Sequence, residues 1–292
     1  MEKLIESFIV NQNPSSIQLS QFKLLAFDID GTLLGSSKQL SAYSEGVLAR
    51  VRKQGIFLTL ATGKVLPATR ELAGRLRIAQ PLILSNGSIL QTRQGRLIWQ
   101  TVLPVDVVSS AIQISRQGKC DLVMYIRNGI YIERMNENIR PIYGNLTSGL
   151  YVVDRWENLA GRLAQVNKCL FVDTSDEQNL VRMHAPLRET LGQRADTIRT
   201  SPTLLEILPR GITKASGLLM LAEKLNIKMN EVMAFGDYDN DMEMLRTAGL
   251  GVAVRGASPA CLKAADIVVA SADEDGPAHF LAELLDKHPS DF

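Results

Sequence analysis

The sequence predicts an α/β protein whose parallel-sheet core is interrupted by an inserted α+β domain. The core is indicated by apolar runs of strand length that alternate with helical segments, several of them followed directly by polar residues. The insertion is indicated by a hairpin pattern around Asn128-Gly129, because antiparallel pairing does not belong in a doubly wound core. With 292 residues, 46% of them hydrophobic, the chain is long enough for one large domain or two smaller ones.

The first part of the core is predicted from three apolar runs. FKLLAFDID, residues 22–30, is typical of a strand that is buried on both faces and ends at a polar edge. Ser41 is a candidate N-cap of a helix that ends near Gly55, and IFLTLATGK then predicts a second strand. PLILSNG predicts a third, and we expect the three strands to be parallel because β and α segments alternate.

The middle of the chain predicts the inserted domain, which we place at residues 87–206. Its hairpin, LVMYIR-NG-IYIER, covers residues 122–134. Further strands are predicted at YVVDRW, KCLFVDTS and TLLEIL, and a helix is predicted from Asp176 to Leu191.

After Gly211 the α/β alternation returns. It predicts the helix ASGLLMLAEKL, the strand EVMAFGD, a helix near Met242, the strands LGVAV and DIVVA, and a final amphipathic helix. The core is therefore predicted to be discontinuous, formed by residues 1–86 and 207–292.

Composition argues against polymeric partners. Thirty-two Lys and Arg against 31 Asp and Glu give a net charge of +1, without the basic excess that binds nucleic acid or anionic membranes. No apolar run approaches the roughly 18 residues of a membrane span, and the N-terminal apolar stretch is too short for a secretory signal. Cys120, Cys169 and Cys261 are widely spaced, which favours reduced, buried thiols. We expect a cytoplasmic protein, monomeric or a small homo-oligomer, that acts on small molecules.

Two carboxylates, Asp28 and Asp30, follow the first predicted strand. Residues two apart on a strand share a face, so both can serve one reaction centre. In phosphoryl transfer one carboxylate can attack phosphorus, while a second protonates the leaving alkoxide and later activates water. An isolated pair of this kind is more often an Asx turn or a helix cap, so the assignment depends on further residues.

Four further clusters indicate the same chemistry, and the fourth is SNG with Asn86. In LATGK the Thr62 hydroxyl and the Gly63 amide can hold phosphate oxygens. Lys214 opens a helix, where a cation is unfavourable unless an anion lies nearby. The segment after a further predicted strand contains Asp237, Asp239, Asn240 and Asp241. This concentration of negative charge favours binding of a hard cation such as Mg²⁺. Alone, each cluster is explained by a turn, a solvated lysine or a helix cap, and an ordinary turn explains Asn86 in SNG equally well.

In their order along the chain, DIDGTL, the Thr62 loop, LPRGITK and GDYDNDMEM resemble the four motifs of the haloacid dehalogenase superfamily. The long insert resembles the Cof-type subfamily with its C2-type cap. This resemblance covers nearly the whole chain from Phe22 and implies a Rossmann-like parallel-sheet core with an α+β cap. It also implies a Mg²⁺-dependent phosphatase that forms an aspartyl-phosphate and hydrolyses small phosphomonoesters, such as sugar phosphates, nucleotides or flavin and pyridoxal phosphates.

The resemblance also implies residue roles. Asp28 is the implied nucleophile and a metal ligand, and Asp30 is the implied acid/base whose main-chain carbonyl also binds the metal. Asp237 is the implied carboxylate ligand, supported by Asp241 directly or through water. Thr62 and Lys214 are implied catalytic residues, and the phosphoryl group is expected to be bound by Ile29, Thr62, Gly63, Lys214 and Asn240.

Three positions depart from the family pattern. Lys64 stands where Cof-type sequences commonly have Arg, so a point charge replaces a planar bidentate donor. SNGS replaces the frequent NGA, and Arg255 stands where a small residue is usual. Because these loops face the cleft between core and cap in the family, the departures bear on substrate specificity.

Two other functions remain open. A phosphomutase of the same superfamily shares the motifs but needs a cap that holds a second phosphate. A non-hydrolytic domain could store or bind phosphate at Asp28, although Asp30 and the large insert argue against it. Arg127 is expected to be a solvated turn residue. No role is assigned to the histidines, and the tryptophans are expected to pack in core or cap: His184, His279, His288, Trp99 and Trp156.

Overall fold

The computed structural model describes residues 17–146 and 148–287 of the chain. Its β-strands are β1 Leu24–Phe27, β2 Phe57–Leu60, β3 Leu82–Leu84, β4 Ile89–Gln91, β5 Leu97–Gln100, β6 Asp121–Ile126, β7 Gly129–Ile132, β8 Leu150–Val152, β9 Val166–Val172, β10 Ala195–Ser201, β11 Leu204–Pro209, β12 Val232–Gly236, β13 Leu250–Val254 and β14 Ile267–Val269. Its α-helices are α1 Ala42–Lys53, α2 Leu66–Arg75, α3 Val105–Gly118, α4 Arg140–Tyr143, α5 Glu177–Leu191, α6 Lys214–Lys224, α7 Met242–Thr247, α8 Pro259–Ala264 and α9 Gly276–Asp286.

The central sheet has five parallel strands in the order β14-β13-β12-β1-β2. Every residue of β1 and β12 is buried, which explains their unbroken apolar sequences. Phe27 is the last residue of β1 and Phe235 is the last but one of β12, and their rings stack with centroids 4.5 Å apart. Because parallel strands end at the same edge, the polar residues that follow β1, β2 and β12 meet there. The predicted α/β fold class is confirmed.

The third predicted strand is parallel to its core neighbour, as expected, but it is not a full member of the central sheet. β3 joins the parallel sheet through a single bridge between Ala61 and Ile83, and it pairs antiparallel with β4, which pairs with β5. Ile89 and Leu90 of β4 belong to the hydrophobic cluster of the core, whereas the cluster of the cap begins at Leu103. The predicted division at residues 86/87 and 206/207 stays a prediction, and this packing favours a first boundary after β5.

The inserted segment forms a six-stranded sheet in the order β10-β11-β9-β6-β7-β8. Its strand pairs are antiparallel except β7 with β8, and helices α3 and α5 pack against it. Trp156 is 1% exposed within its hydrophobic cluster, and Trp99 packs against the core cluster, so neither tryptophan is a surface platform. The prediction of an inserted α+β cap is confirmed.

The predicted hairpin is present, but its turn lies one residue earlier than the Asn128-Gly129 pattern indicates. Ile126 pairs with Gly129, so Arg127 and Asn128 are the central turn residues. Arg127 is exposed, as predicted, and has φ 51°. A Cβ on Gly129 would approach the Tyr131 ring to 2.6 Å, so this glycine provides space for the ring rather than forming the turn.

Most predicted helices are present at their expected positions. Ser41 caps α1, since its Oγ accepts a hydrogen bond from the Ser44 amide at 2.9 Å, and Asp176 caps α5. The sequence predicts no element at β10, whose polar residues are placed in a strand by pairing with β11. No helix in the described part of the chain is long and apolar enough to cross a membrane. The three cysteines are free and buried, as expected.

The two tryptophans provide one probe for each hydrophobic cluster. We predict that the Trp99→Phe and Trp156→Phe variants, each with a single tryptophan left, show different urea midpoints by fluorescence, because each cluster stabilises its own domain. Circular dichroism of both variants controls for a general loss of stability. Coincident fluorescence midpoints would contradict two independently cooperative domains.

Candidate active site

Asp28 lies at the carboxyl end of β1 and is buried. Its amide donates a hydrogen bond to the Phe235 carbonyl at 3.0 Å, so the backbone continues the pairing with β12 up to this residue. Burial raises the pKa of Asp28 well above its ordinary value. The ammonium of Lys214 opposes this increase, while the negative charges of Asp241 and Asp237 add to it.

Lys214 is the first residue of α6 and is 1% exposed. Its Nζ donates to Asp28 Oδ1 at 2.6 Å and to Asp241 Oδ1 at 2.7 Å. Burial acts to lower the pKa of Lys214, but the charges of Asp241 and Asp28 outweigh it and raise the pKa. A lysine at a helix N-terminus is destabilised by the helix dipole, and these two carboxylates supply the negative charge that offsets this effect.

Three carboxylates, those of Asp28, Asp237 and Asp241, offer oxygens that lie within 4.8 Å of one another. The orientation of the Asp241 carboxylate is fixed by two backbone amides, because its Oδ2 accepts hydrogen bonds from the amides of Asp237 at 3.1 Å and Tyr238 at 3.2 Å. Burial raises the pKa of Asp237, and the charge of Asp241 adds to this increase. The Thr32 hydroxyl donates a hydrogen bond to Asp237 Oδ1 at 2.6 Å and thereby lowers the pKa.

Gly31 lets the loop after β1 approach this carboxylate group closely. Its φ is 89°, and a Cβ at this position would come within 2.4 Å of Asp237 Oδ2. A side chain would therefore be strained by the backbone conformation and would displace Asp237. The Ile29 carbonyl accepts the amides of Leu33 at 3.1 Å and Leu34 at 2.8 Å, which closes the same loop.

The carboxylate group fits Mg²⁺ in its donor chemistry. One ammonium cannot balance three closely spaced carboxylates, two of them buried. Burial raises the pKa values of Asp28 and Asp237, and the charges of the neighbouring carboxylates add to this increase. Mg²⁺ is typically bound through one or two carboxylates, with waters and phosphate oxygens completing its coordination. The side chains that would hold it are those of Asp28, Asp237 and Asp241. The main-chain carbonyl of Asp30 stays a predicted ligand.

Asp30 lies outside this group, and its carboxylate contacts two lysines. Lys64 Nζ lies 2.5 Å from Asp30 Oδ2, and Lys38 Nζ lies 3.4 Å from Oδ1. Burial acts to raise the pKa of Asp30, but the charges and hydrogen bonds of Lys64 and then Lys38 hold it below its ordinary value. The two carboxylates of the first motif therefore have opposite electrostatic environments, and Lys64, a departure from the family pattern, contributes directly to one of them.

The loop after β2 is joined to the end of β3. The Thr62 amide donates to the Ile83 carbonyl, and the Asn86 amide donates to the Thr62 carbonyl, both at 2.9 Å. Ser85, Asn86 and Gly87 all have positive φ, 49°, 55° and 99°, which bends the chain back towards this loop. Asn86 Oδ1 accepts from Asn240 Nδ2 at 3.1 Å, so Asn86 does more than complete a turn.

Two charged cap residues that the sequence analysis missed, Lys168 of β9 and Glu206 of β11, connect the cap to these loops. They are 1% and 5% exposed and form an ion pair of 3.1 Å. Lys168 Nζ also donates to the Gly63 carbonyl at 3.1 Å, and Glu206 Oε2 accepts from Asn86 Nδ2 at 2.6 Å. Each residue is a charged residue within an apolar strand segment, KCLFV or LLEIL. A buried charge needs a partner of opposite charge, so this pattern could have predicted an ion pair.

A cavity of about 370 Å³ lies between core and cap. The predicted site residues that line it are Asp28, Asp30, Thr62, Gly63, Asp237 and Asn240. Lys214, Asp241 and Ile29 are almost fully buried and do not line it. The sequence thus brings nucleophile, acid/base and phosphate-binding candidates to one cavity from segments that lie far apart in the chain.

Other residues singled out from the sequence lie away from this cavity. Arg255 pairs with Glu274 at 3.3 Å. His184 Nε2 lies 2.9 Å from the Thr197 hydroxyl, while the ring of His279 contacts Tyr43. His288 lies outside the described residues.

Comparison with known proteins shows the family of the chain. Residues 25–281 match the haloacid dehalogenase-like hydrolase family. An HMP-PP phosphatase of Citrobacter koseri is 28% identical over 270 residues, which cover 90% of this chain and 96% of that protein. A chloroplastic endoribonuclease of Arabidopsis thaliana is also 28% identical over 270 residues, covering 88% of this chain and 46% of that protein, so the chain spans about half of its length.

A solved structure has the same architecture. A haloacid dehalogenase-like hydrolase from Bacteroides thetaiotaomicron superposes with a TM-score of 0.81 at 29% identity, covering 90% of this chain and 99% of that one. The family match extends over both parts of the core and the whole cap. The chain therefore belongs to the haloacid dehalogenase-like hydrolases and is a phosphatase of their Cof type.

Proposed function

We propose that this phosphatase hydrolyses small phosphomonoesters in a Mg²⁺-dependent reaction that passes through an aspartyl-phosphate on Asp28. The observation that carries the proposal is the contrast between two carboxylates at one cavity. Asp28 is hydrogen-bonded to Lys214 and lies beside two further carboxylates. Asp30, two residues after Asp28 in the chain, forms an ion pair with Lys64. Such a pair divides naturally into a nucleophile and an acid/base.

Asp28 is the group that attacks phosphorus. Lys214 orients its carboxylate through the 2.6 Å hydrogen bond and favours the ionised form that can attack. When bound, Mg²⁺ supplies positive charge that offsets the repulsion between this carboxylate and the phosphoryl oxygens. Thr62 and Asn240, with the backbone of Ile29 and Gly63, are the proposed donors to those oxygens.

Asp30 is the group that moves the proton. Before the substrate binds, Lys64 and Lys38 favour its carboxylate form, whereas an incoming phosphoryl dianion favours the protonated form. Protonated Asp30 gives its proton to the leaving alkoxide as the bond to Asp28 forms. After the alcohol departs, the Asp30 carboxylate takes a proton from a water that attacks the aspartyl-phosphate, and inorganic phosphate is released.

The cap disfavours the phosphomutase alternative. A phosphomutase must hold a second phosphate, which calls for a free cation on the cap side of the cavity. Among the described residues that line the cavity, the cap contributes one cation, Lys168, and that cation is already paired with Glu206. The position of Asp30 at the same cavity as Asp28 likewise favours turnover over storage of phosphate.

The candidate substrates are small phosphomonoesters. Because a relative is named an HMP-PP phosphatase, HMP-PP belongs in a substrate panel for this chain together with sugar, nucleotide, flavin and pyridoxal phosphates. The net charge of +1 supports a partner that is neither nucleic acid nor membrane. A cytoplasmic location and a monomeric or small homo-oligomeric state stay predictions.

We predict that Mg²⁺ raises the melting temperature of the wild-type protein and that Asp237→Asn loses most of this increase. Binding at 100 times the dissociation constant adds about 2.7 kcal/mol to the free energy of unfolding. Without Mg²⁺ the variant should melt above the wild type, because one of three mutually repelling carboxylates has become neutral. Calorimetry with Mg²⁺ and with excess chelator measures both effects, and phosphate release should stop in chelator.

The matched control for this variant is Asp286→Asn. Asp286 is 68% exposed and pairs with Arg50 at the surface, so this variant should keep the full Mg²⁺ response. Equal Mg²⁺ shifts in wild type and Asp237→Asn, or full turnover in chelator, would contradict the metal assignment.

We predict that Asp28→Asn and Asp30→Asn both lose turnover but differ with acetyl phosphate, whose leaving group needs little protonation. Asp28→Asn lacks the nucleophile and should not become phosphorylated. Asp30→Asn keeps the nucleophile but lacks the base that activates water, so phosphoenzyme should accumulate. Loss of general acid/base help typically slows a step by about 10²–10⁴-fold. Intact-protein mass spectrometry after rapid quenching measures the phosphorylated fraction.

The wild type is the internal control, because its phosphoenzyme should be transient. A wild-type aspartyl-phosphate that lasts many minutes, with a lifetime that Asp30→Asn leaves unchanged, would rule out the hydrolase mechanism and favour phosphate storage.

A further inference from the structure

We propose that the cap half of the cavity is a binding site for an apolar ring, so that the preferred substrate is a single-ring phosphomonoester with few hydroxyl groups. This inference rests on the proposed phosphatase reaction and adds a substrate class to it. The cap contributes mainly apolar and tyrosine side chains to the cavity: Tyr125, Ile130, Tyr143, Leu146, Leu170 and Leu204. Val65 and Ala68 of the core continue the apolar surface.

The polar groups on the cap side are largely occupied by one another. Lys168 Nζ donates to Glu206 and Gly63 and lies 4.2 Å from the centroid of the Tyr125 ring. Glu206 accepts from Lys168, Asn86 and the Thr200 hydroxyl, the last at 3.3 Å. The two charged residues are therefore committed to protein partners and leave little capacity to recognise substrate hydroxyls.

The tyrosine hydroxyls are also paired. Tyr125 and Tyr143 are buried, with their hydroxyl oxygens 2.5 Å apart. Because one hydroxyl donates to the other, a single hydroxyl hydrogen of the pair remains for any ligand. A polyhydroxylated leaving group would have to place several hydroxyls against apolar walls without partners, which opposes its binding.

The size of the cavity limits the leaving group. Its volume of about 370 Å³ is near the lower end of the roughly 300–1,000 Å³ that small-molecule sites occupy. The core side, with Asp28, Asp30 and Asp237, must also take the phosphoryl group. The remaining space suits one ring rather than an extended substrate.

The test compares benzyl phosphate with glucose 6-phosphate. Both are esters of primary alcohols, so the chemistry of the leaving oxygen is similar and the comparison reports recognition of the organic group. We expect kcat/KM for benzyl phosphate to exceed that for glucose 6-phosphate by about tenfold or more, the range in which pockets discriminate apolar groups. Equal or reversed values would overturn the inference while leaving the phosphatase function intact.

A pair of cap variants locates the site. Ile142 lines the cavity and is 36% exposed, so Ile142→Asn should fold, and it should lower kcat/KM for benzyl phosphate about tenfold. Val181, on α5, is 43% exposed and does not line the cavity, so Val181→Asn should change nothing. Equal effects of the two variants would overturn the inference.

Acetyl phosphate separates this inference from the proposed function. It has no ring, so Ile142→Asn should hydrolyse it at the wild-type rate. A parallel loss on acetyl phosphate and benzyl phosphate would mean that the variant damages the reaction itself, and it would overturn the assignment of a ring site. Absence of phosphate release by the wild type from all three compounds would overturn the proposed function and this inference with it.

Discussion

The candidate active site is organised around the buried ammonium of Lys214. It lies between Asp28 and Asp241, which come from opposite ends of the chain and could not remain ionised side by side in the protein interior without it. Removing one partner from a buried charge pair typically costs about 3–5 kcal/mol, because the other charge is left uncompensated. The end of β1, the start of α6 and the loop after β12 are therefore positioned relative to one another by a single charged group.

The same physical rule applies at the junction of core and cap. Lys168 and Glu206 are charged residues within otherwise apolar strands, and their burial is compensated by the ion pair and by hydrogen bonds to Gly63 and Asn86. Asn86 in turn accepts a hydrogen bond from Asn240. A continuous set of polar contacts thus runs from the cap to the loops that contain Gly63 and Asn240. The cap contacts these loops through Lys168 and Glu206, while its apolar residues line the cavity.

The sequence was most informative where local pattern and chemistry coincide. Asp28, Thr62 and Asp237 follow apolar runs, and the geometry of a parallel sheet alone is enough to bring such strand ends together. Lys214 was found because a cation at a helix N-terminus needs an anion. These residues meet at one site although Asp28 and Lys214 are 186 positions apart.

Features that depend on partners distant in the chain were not predicted. Gly129 belongs to β7 because it pairs with Ile126, and the Tyr131 ring occupies the space where a Cβ would lie, which a local turn pattern does not reveal. β10 is polar and becomes a strand only by pairing with β11. Lys168 and Glu206 stand in two different predicted strands, and their pairing requires knowing that β9 and β11 are neighbours. Nothing in their local sequence shows which core loop they contact.

The central claim is that the phosphoryl group passes through Asp28 before it reaches water. The stereochemical course at phosphorus tests this directly, using a phosphorothioate ester made chiral with oxygen isotopes and hydrolysed in isotopically labelled water. Two successive in-line displacements, first by Asp28 and then by water, predict overall retention of configuration. Inversion would show a single displacement by water and would contradict the account.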